Sequence, residues 1–374
     1  METIERDRTK RAAAHSTWDP CSPAVAAMLL LSLVRFSFAA DTQTLRSIPH
    51  PLTMLLRDSA LRAELGLRHD QIQAVDEALA QVELPLWRLR DLPASARNDP
   101  ADRLITQLRQ ALGAILSKPQ IERLDQITLR AQGIQGILEP AVAGRLKLSA
   151  VQAEKMRAAL GVLNAELAVL HRRSLATGGV AAVWSYKDRA EREILAVLGD
   201  SQRNLLVALM GRPFDFSRIE PIACLAPELR DVETWINSTP LTLAQLRGHV
   251  VAVHFYTFGC INCIRNLPYY NGWHAQFAAD HFKIVGIHRP ETPGERVVED
   301  VRRKAVEAGI AYPVAVDNSS ANWDAWANRV WPSVYLIDKR GFVRYWWYGE
   351  MNWQGVEGEK WMRSRIQQLL AEPD

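Results

Sequence analysis

At 374 residues, 48% hydrophobic and 23% charged, the chain reads as a folded protein too long for one core, so two or three domains are expected. A formal net charge of +3 is small for that length and leaves no electrostatic footprint for nucleic acid. The nine His are scattered without a ligand pair at helical spacing, and neither a metal site nor an organic cofactor is implied.

The first forty residues stand apart. Arg6, Arg8, Lys10 and Arg11 form a basic start, "AVAAMLLLSLV" covers 24–34, and Ser37 and Ala39 occupy the −3 and −1 positions of a cleavage site. That is a signal-peptide layout over 1–39, with an apolar run too short to span a bilayer as a mature helix. The expectation is export to the periplasm or cell envelope; the alternative is a misplaced start followed by a buried helix. Cleavage near Ala39 removes Cys21 and leaves Cys224, Cys260 and Cys263, one pair and a spare. An oxidising compartment suits a dithiol that works by exchange.

Residues 50–211 are rich in Leu, Ala, Arg and Gln, whereas nine of the twelve Trp lie after residue 230. "LRHDQ" (67–71), "LSKPQ" (116–120), "LSAVQ" (148–152) and "LGDSQ" (198–202) each precede apolar residues at helical spacing, such as Ile72, Val75, Leu79 and Val82. The Gln positions recur at 81 residues (71 to 152) and 82 residues (120 to 202), which predicts two tandem copies of one helical unit. Ser117 and Ser149 stand where helix N-caps would, three residues before a Gln, so simple capping boxes explain the motifs as well. The fold class expected here is an all-helical, internally duplicated domain. On the four motifs it resembles the helical LTxxQ-motif periplasmic proteins of the Spy/CpxP type, a resemblance that implies a fold and no site residues.

"GRPFDFSRIEPIA" (211–223) has no helical period and marks the domain break, so a second domain is expected over 222–372. Strands are predicted at 249–258, 282–288 and 312–317, with helices at 261–279, 294–308 and 320–328 between and after them. "SVYLID" (333–338) and "FVRYWWY" (342–348) form a hairpin with Gly341 at the turn, and a helix over 357–371 closes the chain. Together they describe a mixed sheet covered on both faces.

The pair Cys260 and Cys263 falls where the first strand meets its helix. Cys260 at the helix N-terminus faces unpaired N–H groups and the positive dipole end, which favour thiolate. Cys263 lies one turn on, on the same face, and Pro268 is placed to kink the helix beyond it. Trp331-Pro332 stands directly before "SVYLID"; a cis peptide there would set a backbone edge beside the sulfurs for an extended substrate. A zinc site would need a second ligand pair that Cys224 and scattered His do not supply. A peroxidatic PxxxTxxC pattern is matched by Thr257 and Cys260 but has Val253 in the Pro position.

Residues 226–270, 286–291 and 312–350, with CINC, WP and YLID among them, resemble thioredoxin-like thiol–disulfide proteins of the TlpA/DipZ type. The resemblance implies an α/β thioredoxin-like fold, an attacking Cys260, a resolving Cys263 and a cis Pro332, with Trp331, Gly259 and Glu291 on the substrate side. It implies protein thiols and disulfides as partners and a membrane-bound thiol protein as electron donor. Two departures stand out. Gly259 replaces the bulky residue often found before the first cysteine, and His254 stands six residues before Cys260, in place of a buried acid. Two readings of His254 remain: proton acceptor for the resolving thiol, or packed strand histidine with one satisfied nitrogen. Glu291 sits beside the site or caps the next helix, and Cys224 is a buried small hydrophobe or a third exchanging thiol. The expected function is exported thiol–disulfide exchange, reductive in direction. The alternative is a chaperone-like scaffold whose thioredoxin fold serves for docking.

Overall fold

The structure, a computed structural model, describes residues 48–177 and 180–373, the side chains of 168–184 and 218 excepted. The leader read at 1–39 and Cys21 lie outside the described residues. Among the described residues no helix is long and apolar enough to cross a membrane.

After two short helices, Pro51–Arg57 and Ser59–Glu64, the first half is built from α1 (His69–Arg88), α2 (Ala94–Ile115), α3 (Lys118–Gln132), α4 (Ala150–Thr177), α5 (Val180–Leu195) and α6 (Asp200–Met210). Neighbours α1 and α2 pack together, as do α4 and α5, and each set has its own apolar core. All four motif glutamines cap a helix: the side chains of Gln71, Gln120, Gln152 and Gln202 accept the backbone N–H three residues earlier at 3.2, 2.9, 3.0 and 2.9 Å. They also meet in pairs. Gln71 and Gln120 exchange amide hydrogen bonds of 3.0 and 3.3 Å, and Gln152 and Gln202 do so at 2.8 and 3.1 Å. Each amide further donates to a carbonyl at the end of its partner's preceding segment, Ile115 and Leu65 in the first pair, Val197 and Leu146 in the second. The recurrence in the sequence thus records one arrangement used twice, in which a polar clasp gives partners to the N–H and C=O groups at helix ends. Arg130 ties the sets together, donating to the carbonyls of Met210 and Gly211 at 2.8 and 2.6 Å.

The second half carries a seven-stranded sheet of order β1-β7-β6-β3-β4-β5-β2, from β1 (Cys224–Leu225), β2 (Thr234–Ile236), β3 (Val250–Tyr256), β4 (Phe282–His288), β5 (Val314–Val316), β6 (Ser333–Ile337) and β7 (Phe342–Tyr348). Strands β3, β4 and β5 are parallel and the other pairings antiparallel. Every residue of β3 is buried, because the central strand is covered on both faces, which is why it reads as an unbroken apolar run. One face packs under α7 (Ile261–Phe277), α8 (Val298–Glu307) and α9 (Gly358–Ala371). The helix expected over 294–308 is instead a 3-10 turn at Pro293–Arg296 and then α8, broken at Val297, where ψ is 110°. Helix α7 continues through Pro268 as one element.

The other face is closed partly by the helical half. Trp87, at the end of α1 and 1% exposed, belongs to the same buried cluster as Val253, Phe255, Tyr335 and Val343. Its ring meets Trp346 edge-on at 4.8 Å between centroids. The break in composition near 211–223 therefore separates two textures of sequence, while one apolar core runs across it.

A candidate dithiol site at the end of the central strand

Strand β3 delivers the chain to Thr257, and three residues later Cys260 is the N-cap of α7, with φ −84° and ψ 113°. Its carbonyl accepts the first helical hydrogen bond, from Ile264 at 3.0 Å. Cys260 is partly exposed, Cys263 is fully buried, and both are free thiols. The two sulfurs share a hydrogen bond, and Cys263 also takes one from the Thr257 backbone. Burial, the hydrogen bond to Cys260 and the negative charge of Glu291 push the Cys263 thiol far above its ordinary value, so it stays protonated at neutral pH. The outer sulfur alone is open to a partner.

The Trp331-Pro332 peptide is cis. Register places it: Ser333 pairs with Phe255, so Pro332 lies at the C-terminal end of β3, from which the dithiol turn departs. Trp331 packs against the same core as Phe258 and Cys260, lies tilted over Trp323 at 4.2 Å between centroids and carries the Arg289 guanidinium 4.9 Å from its ring centre.

Gly259 is explained by a residue the sequence did not single out. Glu295 turns inward from the 3-10 segment and is 4% exposed. One carboxylate oxygen accepts the Gly259 N–H at 2.9 Å; the other accepts the N–H groups of Glu291 and Thr292, both at 2.7 Å. A Cβ at Gly259 would lie 2.3 Å from that first oxygen, so a side chain there and this bond exclude each other. Burial opposes ionisation of Glu295, but hydrogen bonds from Thr257, Thr292, Glu291 and Gly259 outweigh it and hold the carboxyl below its usual range. Thr257 in turn lies 3.4 Å from the His288 ring nitrogen, and that ring stacks on Phe258. Glu291 itself is exposed, and its carboxylate acts on Cys263 through its charge.

His254 is not part of this hydrogen-bonded set. Its ring is wholly buried, stacked on Tyr270 at 4.3 Å and flanked by Tyr256 and Tyr312, and neither nitrogen has a protein partner. Burial depresses its pKa to about 3, so the imidazole is neutral and a poor acceptor for a proton from Cys263. The packed reading fits, corrected in that no nitrogen is satisfied. Cys224 on β1 is fully buried and its thiol is pushed well up by desolvation, as for a small core hydrophobe. Among the described residues no group of three or more His, Cys, Asp or Glu side chains could hold a metal ion.

Residues 226–346 match the AhpC/TSA family. The chain is 38% identical over 135 residues to Protein DipZ of Mycobacterium bovis, a stretch covering 35% of this chain and 19% of that protein. It is 28% identical over 149 residues to the thiol-disulfide oxidoreductase YkuV of Bacillus subtilis, covering 40% of this chain and 95% of that one. Among solved structures it is similar to a thiol-disulfide isomerase from Corynebacterium glutamicum, with 25% identity, a TM-score of 0.34, and coverage of 40% and 98%. The chain thus spans about a fifth of the length of the DipZ proteins it matches, 19%. The C-terminal half is a thioredoxin-like α/β domain, similar to thiol–disulfide oxidoreductases, and the N-terminal half is helical. The family match lies wholly in the C-terminal half, and the LTxxQ resemblance of the helical half gains no support from these proteins.

Proposed function

We propose that this protein is an exported thiol–disulfide oxidoreductase that reduces disulfides in protein substrates. The observation that carries the reading is a partly exposed thiol at a helix N-terminus hydrogen-bonded to a buried thiol one turn on. Cys260, as thiolate, attacks one sulfur of a substrate disulfide; the substrate S–S bond breaks as a mixed disulfide forms, and the departing sulfur takes a proton. Cys263 then gives up its proton, attacks the Cys260 sulfur and releases the second substrate thiol. The substrate has gained two electrons and two protons, and the domain is left with a Cys260–Cys263 disulfide. A membrane-bound thiol protein is the donor that restores the dithiol.

Burial keeps Cys263 a thiol while Cys260 attacks first, and the mixed disulfide then makes the neighbouring Cys260 sulfur the electrophile for Cys263, which fixes the order of attack. Trp331 and cis Pro332 offer the edge along which a substrate strand lies, and Gly259 leaves the outer sulfur unshielded. The reductive direction rests on burial: desolvation first, then the hydrogen bond to Cys260, disfavours a thiolate at Cys263, so that sulfur does not stabilise the reduced form as an anion. Export rests on the basic start, the apolar run at 24–34 and the small residues before Ala40.

The test is trapping. Cys263→Ser in the otherwise unchanged chain, mixed with a disulfide-bonded protein, should accumulate a covalent adduct that dithiothreitol dissolves. The double variant Cys260→Ser, Cys263→Ser should form none. An adduct in the double variant, or none in the single one, contradicts the proposal.

A further inference from the structure

Helix α1 ends at Arg88, and two residues later Arg90 enters the second half of the chain, with only 5% of its surface exposed. Its guanidinium stacks on Trp87 at 4.1 Å and distributes its donors over both halves. Nε donates to the Tyr348 hydroxyl at 2.8 Å, Nη1 to the Trp87 carbonyl at 3.1 Å, and Nη2 to the Tyr335 hydroxyl at 3.0 Å and the Ala327 carbonyl at 3.3 Å. The Tyr348 hydroxyl donates to Asp91 at 2.9 Å, and Asp91 lies 3.2 Å from Arg90 Nε, so the cation is paired within the same network.

What Arg90 holds is the approach to Pro332. Ala327 sits in the left-handed region at φ +48°, which costs a residue with a Cβ about 1 kcal/mol, and Arg90 grips its carbonyl. The Tyr335 hydroxyl relays the hold, donating to the Asn328 side-chain oxygen at 2.6 Å. Asn328 then donates to the Val330 carbonyl at 3.3 Å, a carbonyl that Ser333 also takes at 2.6 Å. Trp331 and cis Pro332 follow at once. Two polar links therefore run from a residue of the helical half into residues 327–330.

We propose that Arg90 is a positioning residue, through which the helical half sets the substrate-facing segment before Pro332. The inference rests on the exchange reading above for its functional meaning, and on the hydrogen bonds alone for the anchoring. A buried cation that spends all but one of these donors on the 327–330 loop and the hydroxyls of Tyr335 and Tyr348 is a costly feature to keep for packing, since an apolar side chain would fill the same space. It gives the helical half a part in the reaction that does not require it to touch the sulfurs.

The test uses the full chain with Arg90→Met, which keeps an unbranched apolar stem and removes the charge and the donors. Tyr335→Phe serves as a second variant that keeps the ring and cuts the relay. Amide exchange read by mass spectrometry should quicken about tenfold over 326–331 in both, the size expected for losing a charged or buried hydrogen bond, while α7 stays as protected as before. Reduction of a protein disulfide such as insulin should lose about tenfold in kcat/KM while the rate with a small aromatic disulfide holds within about twofold, because only the longer substrate uses the segment. Unchanged amide exchange over 326–331 in both variants overturns the inference, as does an equal loss with both substrates. If the unsubstituted protein reduces neither disulfide but the segment still loosens in both variants, the exchange reading fails and the anchoring stands.

Discussion

Glu295 and Gly259 occupy one another's space: the carboxylate oxygen that accepts the Gly259 N–H at 2.9 Å lies 2.3 Å from where a Cβ would be. The residue before the exposed cysteine is glycine because a buried acid 36 residues later binds the backbone there. Three N–H groups converge on its two oxygens, so only a group that accepts on both sides serves.

Replacing Glu295 with Gln should therefore destabilise rather than substitute, because the amide turns an NH₂ toward at least one N–H. We expect a loss of about 1–3 kcal/mol in denaturant unfolding. Gly259→Ala should fall in the same range by displacing the same oxygen. The pH dependence has a defined sign. The folded-state carboxyl lies below its ordinary value of 4.5, so its contribution is fully present above that pH and is lost as pH falls through the depressed value. The acid limb of the stability curve should be shallower in Glu295→Gln; an unaltered limb contradicts the assignment.

Buried histidines add a second acid-side effect. His254 is depressed to about 3 and His288 to about 4, both chiefly by burial, from an ordinary 6.5. Below that ordinary value the unfolded chain takes up protons that the folded chain refuses, so stability falls as pH drops from about 6.5 toward 4, by up to about 1.4 kcal/mol per pH unit per group. His254→Phe should remove one such contribution and leave the rate of disulfide exchange with its pH profile unshifted between pH 6 and 8. A profile that moves would restore His254 as a proton acceptor.

Trp87→Ala should cost about 3–5 kcal/mol although the residue belongs to the helical half, because the cavity opens in the core beneath the sheet. Fluorescence and circular dichroism should report one coincident transition at lower denaturant. Two separated transitions in the unsubstituted protein would contradict a core shared across the two halves.

Much of this was legible locally. The order of the longer strands and helices, the hairpin with Gly341 at φ +89°, the cysteine pair at a helix start and the proline before β6 all lie in short stretches of sequence. Strands β1 and β2 were not, since segments of two and three residues carry no alternation and exist because β7 and β5 present open edges. Glu295 falls in the stretch predicted as a helix over 294–308 and nothing local marks it; the signal was Gly259, whose missing side chain leaves space for another group. Arg90 and Trp87 ended an unremarkable amphipathic helix, and partners such as Tyr335, 245 residues on, leave no trace in local periodicity. The ring of tyrosines around His254, which bears on its two readings, is assembled from residues as far apart in the chain as Tyr256 and Tyr312.

The most direct measurement is the midpoint potential of Cys260 and Cys263, titrated with glutathione or dithiothreitol in the chain from residue 40 onward. The result expected is a single two-electron transition near or below about −270 mV, the range of a reductant. A midpoint between about −180 and −120 mV would make the pair an oxidant or isomerase and contradict the direction. The absence of any two-electron transition would contradict exchange itself.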